Sequence, residues 1–196
     1  MKTLLIIPMM LLISISSYAQ RTISFAEAAA YKNNPEGIPE DVSYVKDVDN
    51  KLPKFVGTWK GVAAGKSIEL HLKQILHLPE DEYGFKLDQL VGRTLIKDAS
   101  TGDTLYNTLN IIDDNNTGFQ GSYYFYNENY SMYFFNLNDD FCMDWGDVSI
   151  TVSPTDPTKL KLYFVRRTGV MMEVSKCPNI STYVPILPKS VELTKQ

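Results

Sequence analysis

The side chains of this 196-residue chain best suited to act as base, nucleophile or metal ligand are two histidines, His71 and His77, and two cysteines, Cys142 and Cys177. Both histidines fall in one segment, KSIELHLKQILH, and no G-x-S-x-G or H-E-x-x-H motif accompanies them. Neither stands at a zinc-ligand spacing from a cysteine. His71 alternates with Glu69 and Lys73 on a polar strand face, and His77 opens the loop LHLPEDEYG, so both read as solvated side chains. Carboxylates are plentiful in PEDEYG, IIDDNNTG and NLNDDFCMDWGD. Glycoside hydrolysis needs two of them facing across about 5–10 Å, which spacing along a chain does not establish. Residues 113–118, DDNNTG, match the first half of a calcium loop, but Tyr124 occupies the position of its bidentate acid. The expectation is a non-enzymatic protein with no catalytic residue, no metal and no cofactor.

The cysteines take their meaning from the start of the chain. Residues 1–19, MKTLLIIPMMLLISISSYA, place Lys2 before an apolar run from Leu4 to Ile15 and end on the small-x-small pattern Ser17-Tyr18-Ala19. That is the layout of a secretory signal peptide, and the run is too short for a permanent span of about 20 residues. Export to a periplasmic or extracellular, oxidising compartment is therefore expected. There Cys142 and Cys177 form a disulfide, worth about 3–4 kcal/mol for a loop of roughly 35 residues, unless they are two separate buried thiols. Removing 1–19 from 196 residues leaves 177, one domain's worth of chain. The formal charge of −4 becomes −5 with Lys2 gone, and no basic cluster exceeds Arg166-Arg167. Nucleic acid and anionic membrane are thereby disfavoured as partners, since phosphate binding uses several clustered cations.

The elements that would position any site divide the mature chain in two. In residues 24–33, SFAEAAAYKN, Ser24 and Glu27 make a capping box, predicting a short helix that ends near Asn34-Pro35. Residues 35–53 are polar and turn-rich, an arm without sustained periodicity. From residue 54 onward, short runs of Val, Ile, Thr, Tyr and Phe alternate with Gly, Asn, Asp and Pro clusters. Strands are expected near 55–63, 67–76, 91–98, 103–109, 118–126, 130–138, 146–153, 159–167, 169–175 and 190–194. That number suits a closed antiparallel barrel or a two-sheet sandwich. Alternation puts Ile68, Leu70 and Leu72 inside, and likewise Leu160, Leu162 and Phe164, whose parity carries Arg166 inward. The segments GFQGSYYFYNENY and YSMYFFNLN are aromatic on both faces. Either Phe119, Tyr123, Phe125, Met132 and Phe134 line the interior, or Tyr124, Tyr126, Tyr133 and Phe135 do. Both phases make an aromatic wall, which packs a core or lines a cavity.

The stretch KFVGTWKG, with Trp59 between Gly57 and Gly61, opens the β region. Together with the all-β run and the inward Arg166 it resembles the lipocalin superfamily. There a G-x-W motif starts the first strand and an arginine from a late strand packs on the tryptophan at the closed end of the barrel. The resemblance assigns Gly57 and Trp59 to the motif and Arg166 to the arginine, with Arg167 as second candidate. A signal ending in AQ, the NPEGIPEDVSYVKDVDNKLPKFVGTWKG region, GRTLIKD followed by TLYNTLN, and the closing PKSVELTKQ resemble an uncharacterised family of small exported bacterial proteins, a domain of unknown function. This second resemblance spans nearly the whole chain and implies a lipocalin-like barrel with an N-terminal arm.

The expected protein is thus mainly β: signal peptide 1–19, helix and arm 20–53, and one lipocalin-like (calycin-type) antiparallel barrel over 54–196. Its expected partner is a small hydrophobic or amphipathic ligand held by the aromatic wall. The alternative is a protein-interaction or inhibitor module acting through the surface of a packed barrel. The tight turn at Ala64-Gly65 and the long connection from His77 to Gln89 place any lid after the second barrel strand.

Overall fold

A computed structural model describes residues 20–78, 84–138, 144–167 and 183–196. The signal segment 1–19, the strand expected at 169–175, and Cys142 and Cys177 with their expected disulfide lie outside the described residues.

Eleven strands form one sheet: β1 (Arg21–Ser24), β2 (Val42–Lys46), β3 (Gly57–Ala63), β4 (Lys66–His77), β5 (Lys86–Asp98), β6 (Thr104–Asn107), β7 (Phe119–Tyr126), β8 (Asn129–Phe135), β9 (Trp145–Val152), β10 (Lys159–Arg166) and β11 (Ser190–Lys195). Eight of them close on themselves in the order β5-β4-β3-β11-β10-β9-β8-β7, with β7 returning to β5. Every pairing around this ring is antiparallel. The protein is therefore a closed antiparallel barrel, in agreement with the lipocalin-like expectation.

The closing seam is short. Only Val91↔Gln120 and Gly92↔Phe119 pair across it, because β5 also pairs with β2 near its start and with β6 near its end. Gly121 lets the two strands approach: a Cβ there would lie 2.2 Å from Tyr130 Oη and 2.6 Å from the Leu90 carbonyl oxygen. The β3–β4 turn is the expected two-residue hairpin, with Ala64 and Gly65 both at positive φ, as a right-twisted ribbon requires.

Two expectations about the chain before and after β4 need correction. The arm is not irregular: β1 pairs in parallel with β2, and β2 in parallel with β5, so residues 21–46 extend the barrel's own sheet. Buried Val42 and Val45 supply the packing, and the Asp88 carboxylate accepts from Tyr44 Oη (2.7 Å) and the Asp47 amide (2.9 Å). The connection after β4 is also shorter than expected, since β5 begins at Lys86. The helix, α1 (Phe25–Ala30), has the expected reciprocal cap between Ser24 and Glu27. It turns Phe25 and Ala28 onto the barrel, where the Phe25 ring meets Phe125 at 5.5 Å between centroids.

The barrel interior is filled. Trp59, Leu70, Leu90, Tyr130, Ile150, Leu160, Leu162 and Leu193 are all fully buried in one hydrophobic cluster. The inner aromatic phase is the first of the two alternatives. Phe119, Met132 and Phe134 are buried, while Tyr123 and Phe125 pack half-buried against the same cluster. In the opposite phase Tyr126 is 73 % exposed and Phe135 38 %.

Candidate functional site

Trp59 packs in the barrel core. Its indole is fully buried and donates from Nε1 to the Phe55 carbonyl (2.7 Å), and its ring pairs across the sheet with Leu70 and Lys195. The cation over this ring is Lys195, with Nζ 5.1 Å from the centroid. Arg166 is not: the register sets Trp59 beside Lys195 near the start of β10, and Arg166 ends that strand beside Gly146. The seven steps from Lys159 to Arg166 make about 23 Å of strand. The space beside the indole goes instead to β11, since a Cβ on Gly61 would lie 2.3 Å from the Glu192 carbonyl oxygen.

Arg166 is received at the opposite end of the barrel. Its guanidinium lies 4.5 Å from the centroid of Tyr183 and attracts the Asp144 carboxylate, which is 1 % exposed. Burial pushes the Asp144 carboxyl above its ordinary range, against the pull of the Ile186 amide that donates to it at 2.7 Å. Lys66 Nζ donates to the carbonyls of Pro185 and Ile186 (2.7 and 2.9 Å), so an acid and a base clamp the same segment, which lays Leu187 onto the core.

The expected cavity-lining residues do not surround an open cup. Phe119 and Phe134 meet at 4.9 Å, and Phe134 meets Phe164 edge-on at 5.6 Å, which is core packing. Four concavities of 310–590 Å³ open outward, and none of these four reaches Trp59, Leu70, Phe119, Phe134 or Leu162. Met132 borders only the smallest of them.

The 590 Å³ groove lies on the outer face of β7, β8 and β9 and is walled by three rings, Tyr133, Phe135 and Trp145. Phe135 and Trp145 are cross-strand partners in the β8–β9 register, which holds their rings nearly parallel, 4° apart in plane with centroids at 6.0 Å. Arg167, the second candidate for a tryptophan-stacking arginine, does lie over a tryptophan, but that tryptophan is Trp145, at 5.2 Å; it also lies 5.6 Å from Tyr133. Its fork is occupied by Asp147, Nε to Oδ2 at 2.8 Å and Nη2 to Oδ1 at 2.7 Å. The one permanently charged side chain among the described residues lining the groove is thus neutralised.

Amides face the rings. Asn115, Asn116 and Gln120 come from the loop before β7 and from its start, and Gln89 from β5. The loop is fixed from below by Arg93, which donates to the carbonyls of Ile111 and Ile112 and to Asp114 Oδ1. Lys73 takes the other Asp114 oxygen at 2.7 Å, and these two cations, Lys73 foremost, hold the Asp114 carboxyl below its ordinary range. The calcium half-motif is accordingly spent on structure: Asp113 caps Asn115 and Asn116, and Asp114 pairs with the two cations. The Gln120 amide donates to Thr117 Oγ1 and the Asp114 carbonyl. Gln89 is different. It is 3 % exposed, and its side-chain amide has no hydrogen-bond partner among the described residues.

His71 stays on the outer face of β4, bonded to Glu69 at 2.6 Å beside Lys60. His77 borders the groove. Among the described residues no group of three or more His, Cys, Asp or Glu side chains could hold a metal ion. Sequence reasoning missed Gln89, Phe135 and Trp145 as a group. The available signal was the second aromatic phase of β8, read on its outer face together with the first residue of β9.

A family model of unknown function, DUF6705, matches residues 1–196. The chain belongs to that family. No curated protein and no solved structure matches it. Membership in the family carries no activity across, so the functional reading rests on the barrel and its outer groove.

Proposed function

We propose that this member of the family is an exported, non-enzymatic binding module that holds one small amphipathic ligand against the outside of a packed barrel. The observation that carries the reading is the contrast between the two faces of β7, β8 and β9. Inside, Phe119, Met132 and Phe134 are buried against one another and their neighbours. Outside, Tyr133, Phe135 and Trp145 wall a groove of 590 Å³ with amides opposite them. Aromatic surface with a few fixed polar groups is the usual make-up of a ligand site. Export rests on the leader at residues 1–19.

The chain's two tryptophans give a direct test. Trp59 is fully buried and Trp145 borders the groove, so acrylamide quenching of tryptophan fluorescence reports Trp145. A ligand identified by native mass spectrometry, or drawn from a panel of lipids and fluorescent hydrophobes, should protect Trp145 from the quencher. Uptake that leaves Trp145 quenching unchanged would sink the reading.

One observation favours a second reading, a protein-interaction module. Tyr126 stands 73 % exposed at the β7–β8 turn, with Tyr124 and Tyr133 half-buried on the same strands, and tyrosine is favoured in interfaces. Tyr126→Ala should then weaken capture of a partner protein and leave Trp145 protection by small ligands untouched.

A further inference from the structure

The unpartnered amide of Gln89 narrows the class of ligand. An amide held in place by the packing of its own stem, with its hydrogen-bonding capacity unspent on the protein, is a fixed polar point for a ligand. Gln89 is 3 % exposed as a residue and lines the groove, and its amide, which no described side chain or backbone group bonds, meets the solvent of that groove instead of being sealed in the core. A primary amide offers two donors and one acceptor oxygen, so its natural complement is a group that both donates and accepts within a short span. Adjacent hydroxyls are such a group. Asn115 and Asn116 border the same groove, and the Asn116 amide nitrogen is used by Asp113 at 2.6 Å, which leaves its oxygen to accept.

The rings opposite specify what must lie between those hydroxyls. An aromatic face is electron-rich, and it attracts weakly positive C–H groups as well as excluding water from them. The face of a pyranose ring presents such C–H groups while its hydroxyls radiate from the edge. Phe135, the most exposed ring of the three at 38 %, offers a face, and Trp145 runs parallel to it. Charge points the same way. Arg167 is closed by Asp147 through two hydrogen bonds, and among the described residues no carboxylate lines the groove, so these side chains hold no unpaired counter-ion out to a carboxylate or an ammonium ligand.

We infer that the outer groove is a carbohydrate site for neutral oligosaccharides, with one pyranose ring against Phe135 and Trp145 and vicinal hydroxyls on Gln89 and Asn116. This deepens the reading of the groove given above and rests on it. A proline-rich peptide also pairs aromatic faces with amides, but its backbone offers carbonyl acceptors without donors at proline positions. It matches an orphan primary amide less well than a diol does.

The test titrates the intact protein by calorimetry, and by acrylamide quenching, against neutral gluco-, xylo-, manno- and chito-oligosaccharides, a proline-rich peptide and a fluorescent acyl probe. At least one oligosaccharide should bind and protect Trp145. Gln89→Leu should weaken that binding by about tenfold or more, the scale of lost hydrogen bonds to a fixed amide. The same substitution breaks no side-chain hydrogen bond to the described residues, so it should leave the unfolding midpoint nearly unchanged, which keeps a loss of binding from being a loss of fold. Phe135→Ala should weaken oligosaccharide binding as strongly. Protection by the acyl probe or the peptide with no oligosaccharide binding overturns the carbohydrate assignment and leaves the groove reading standing. Binding that survives Gln89→Leu overturns the assignment as well. Failure of every probe to protect Trp145 overturns both.

Discussion

Substituting Gly121 by alanine should open the barrel where it is weakest. The new methyl would sit 2.2 Å from Tyr130 Oη, 2.6 Å from the Leu90 carbonyl oxygen and 2.9 Å from the Leu90 nitrogen. Tyr130 is fully buried and its hydroxyl accepts from the Leu90 amide at 3.2 Å, so it has nowhere to move without losing that bond. The Leu90 carbonyl belongs to β5 itself and yields only if the strand does. Overpacking of this kind costs roughly 1–3 kcal/mol, and the lost hydrogen bond adds about 0.5–1.5, so Gly121→Ala should destabilise the protein by about 2–4 kcal/mol. Urea unfolding followed by far-ultraviolet circular dichroism and by tryptophan fluorescence measures it. Tyr130→Phe removes the nearest obstacle but not the carbonyl. In the double variant the two costs should therefore sum to less than the separate losses, by about 1 kcal/mol. A Gly121→Ala variant within about 0.5 kcal/mol of the parent, the range of ordinary surface changes, would refute the close β5–β7 seam.

Other perturbations reach the core, one end of the barrel and the groove loop. Trp59→Ala should cost about 3–5 kcal/mol by urea unfolding while leaving any binding at the groove intact in the folded fraction, since Trp59 is fully buried in the core. For Asp144 the folded protein holds the proton more tightly than the unfolded chain. Its stabilising contribution is therefore full below the ordinary carboxyl value of about 3.9 and is lost as pH rises through the raised value. Asp144→Asn should accordingly lose less stability than the parent between pH about 4 and 7, read as the difference of urea midpoints. Asp114 has the opposite sign, because its carboxyl is held low by Lys73 and Arg93. Asp114→Asn should cost about 1 kcal/mol at neutral pH, and that difference should vanish as pH falls well below 3.9, through the lowered value.

Much of the fold was legible in the sequence because its signals are local. The capping box of Ser24 and Glu27 and the turn at Ala64-Gly65 are both where short-range chemistry puts them. The alternation in KSIELHLKQ and KLKLYFVRR gave the correct inner faces, since one buried face leaves no other register. The arm was not legible: β1 and β2 have four and five residues, too few for a period, and they pair in parallel with a partner far along the chain. The partner of Trp59 was not legible either. Parity set Arg166 on the face of Leu160, Leu162 and Phe164, but which end of the barrel a residue occupies depends on stagger between strands, which one strand's sequence does not contain. The groove failed for a related reason. Gln89 reads as loop until β5 is seen to start at Lys86, and Phe135 and Trp145 become neighbours only through the β8–β9 register.

The central claim is that this barrel binds from its outside wall and not from its interior. A two-dimensional proton–nitrogen spectrum of the protein tests it most directly, because the two indole N–H groups, on Trp59 and Trp145, report the two locations separately. Titration with the tightest-binding oligosaccharide should shift the Trp145 indole resonance progressively and leave that of Trp59 in place. A Trp59 shift with Trp145 unmoved would put the ligand inside the barrel and contradict the account.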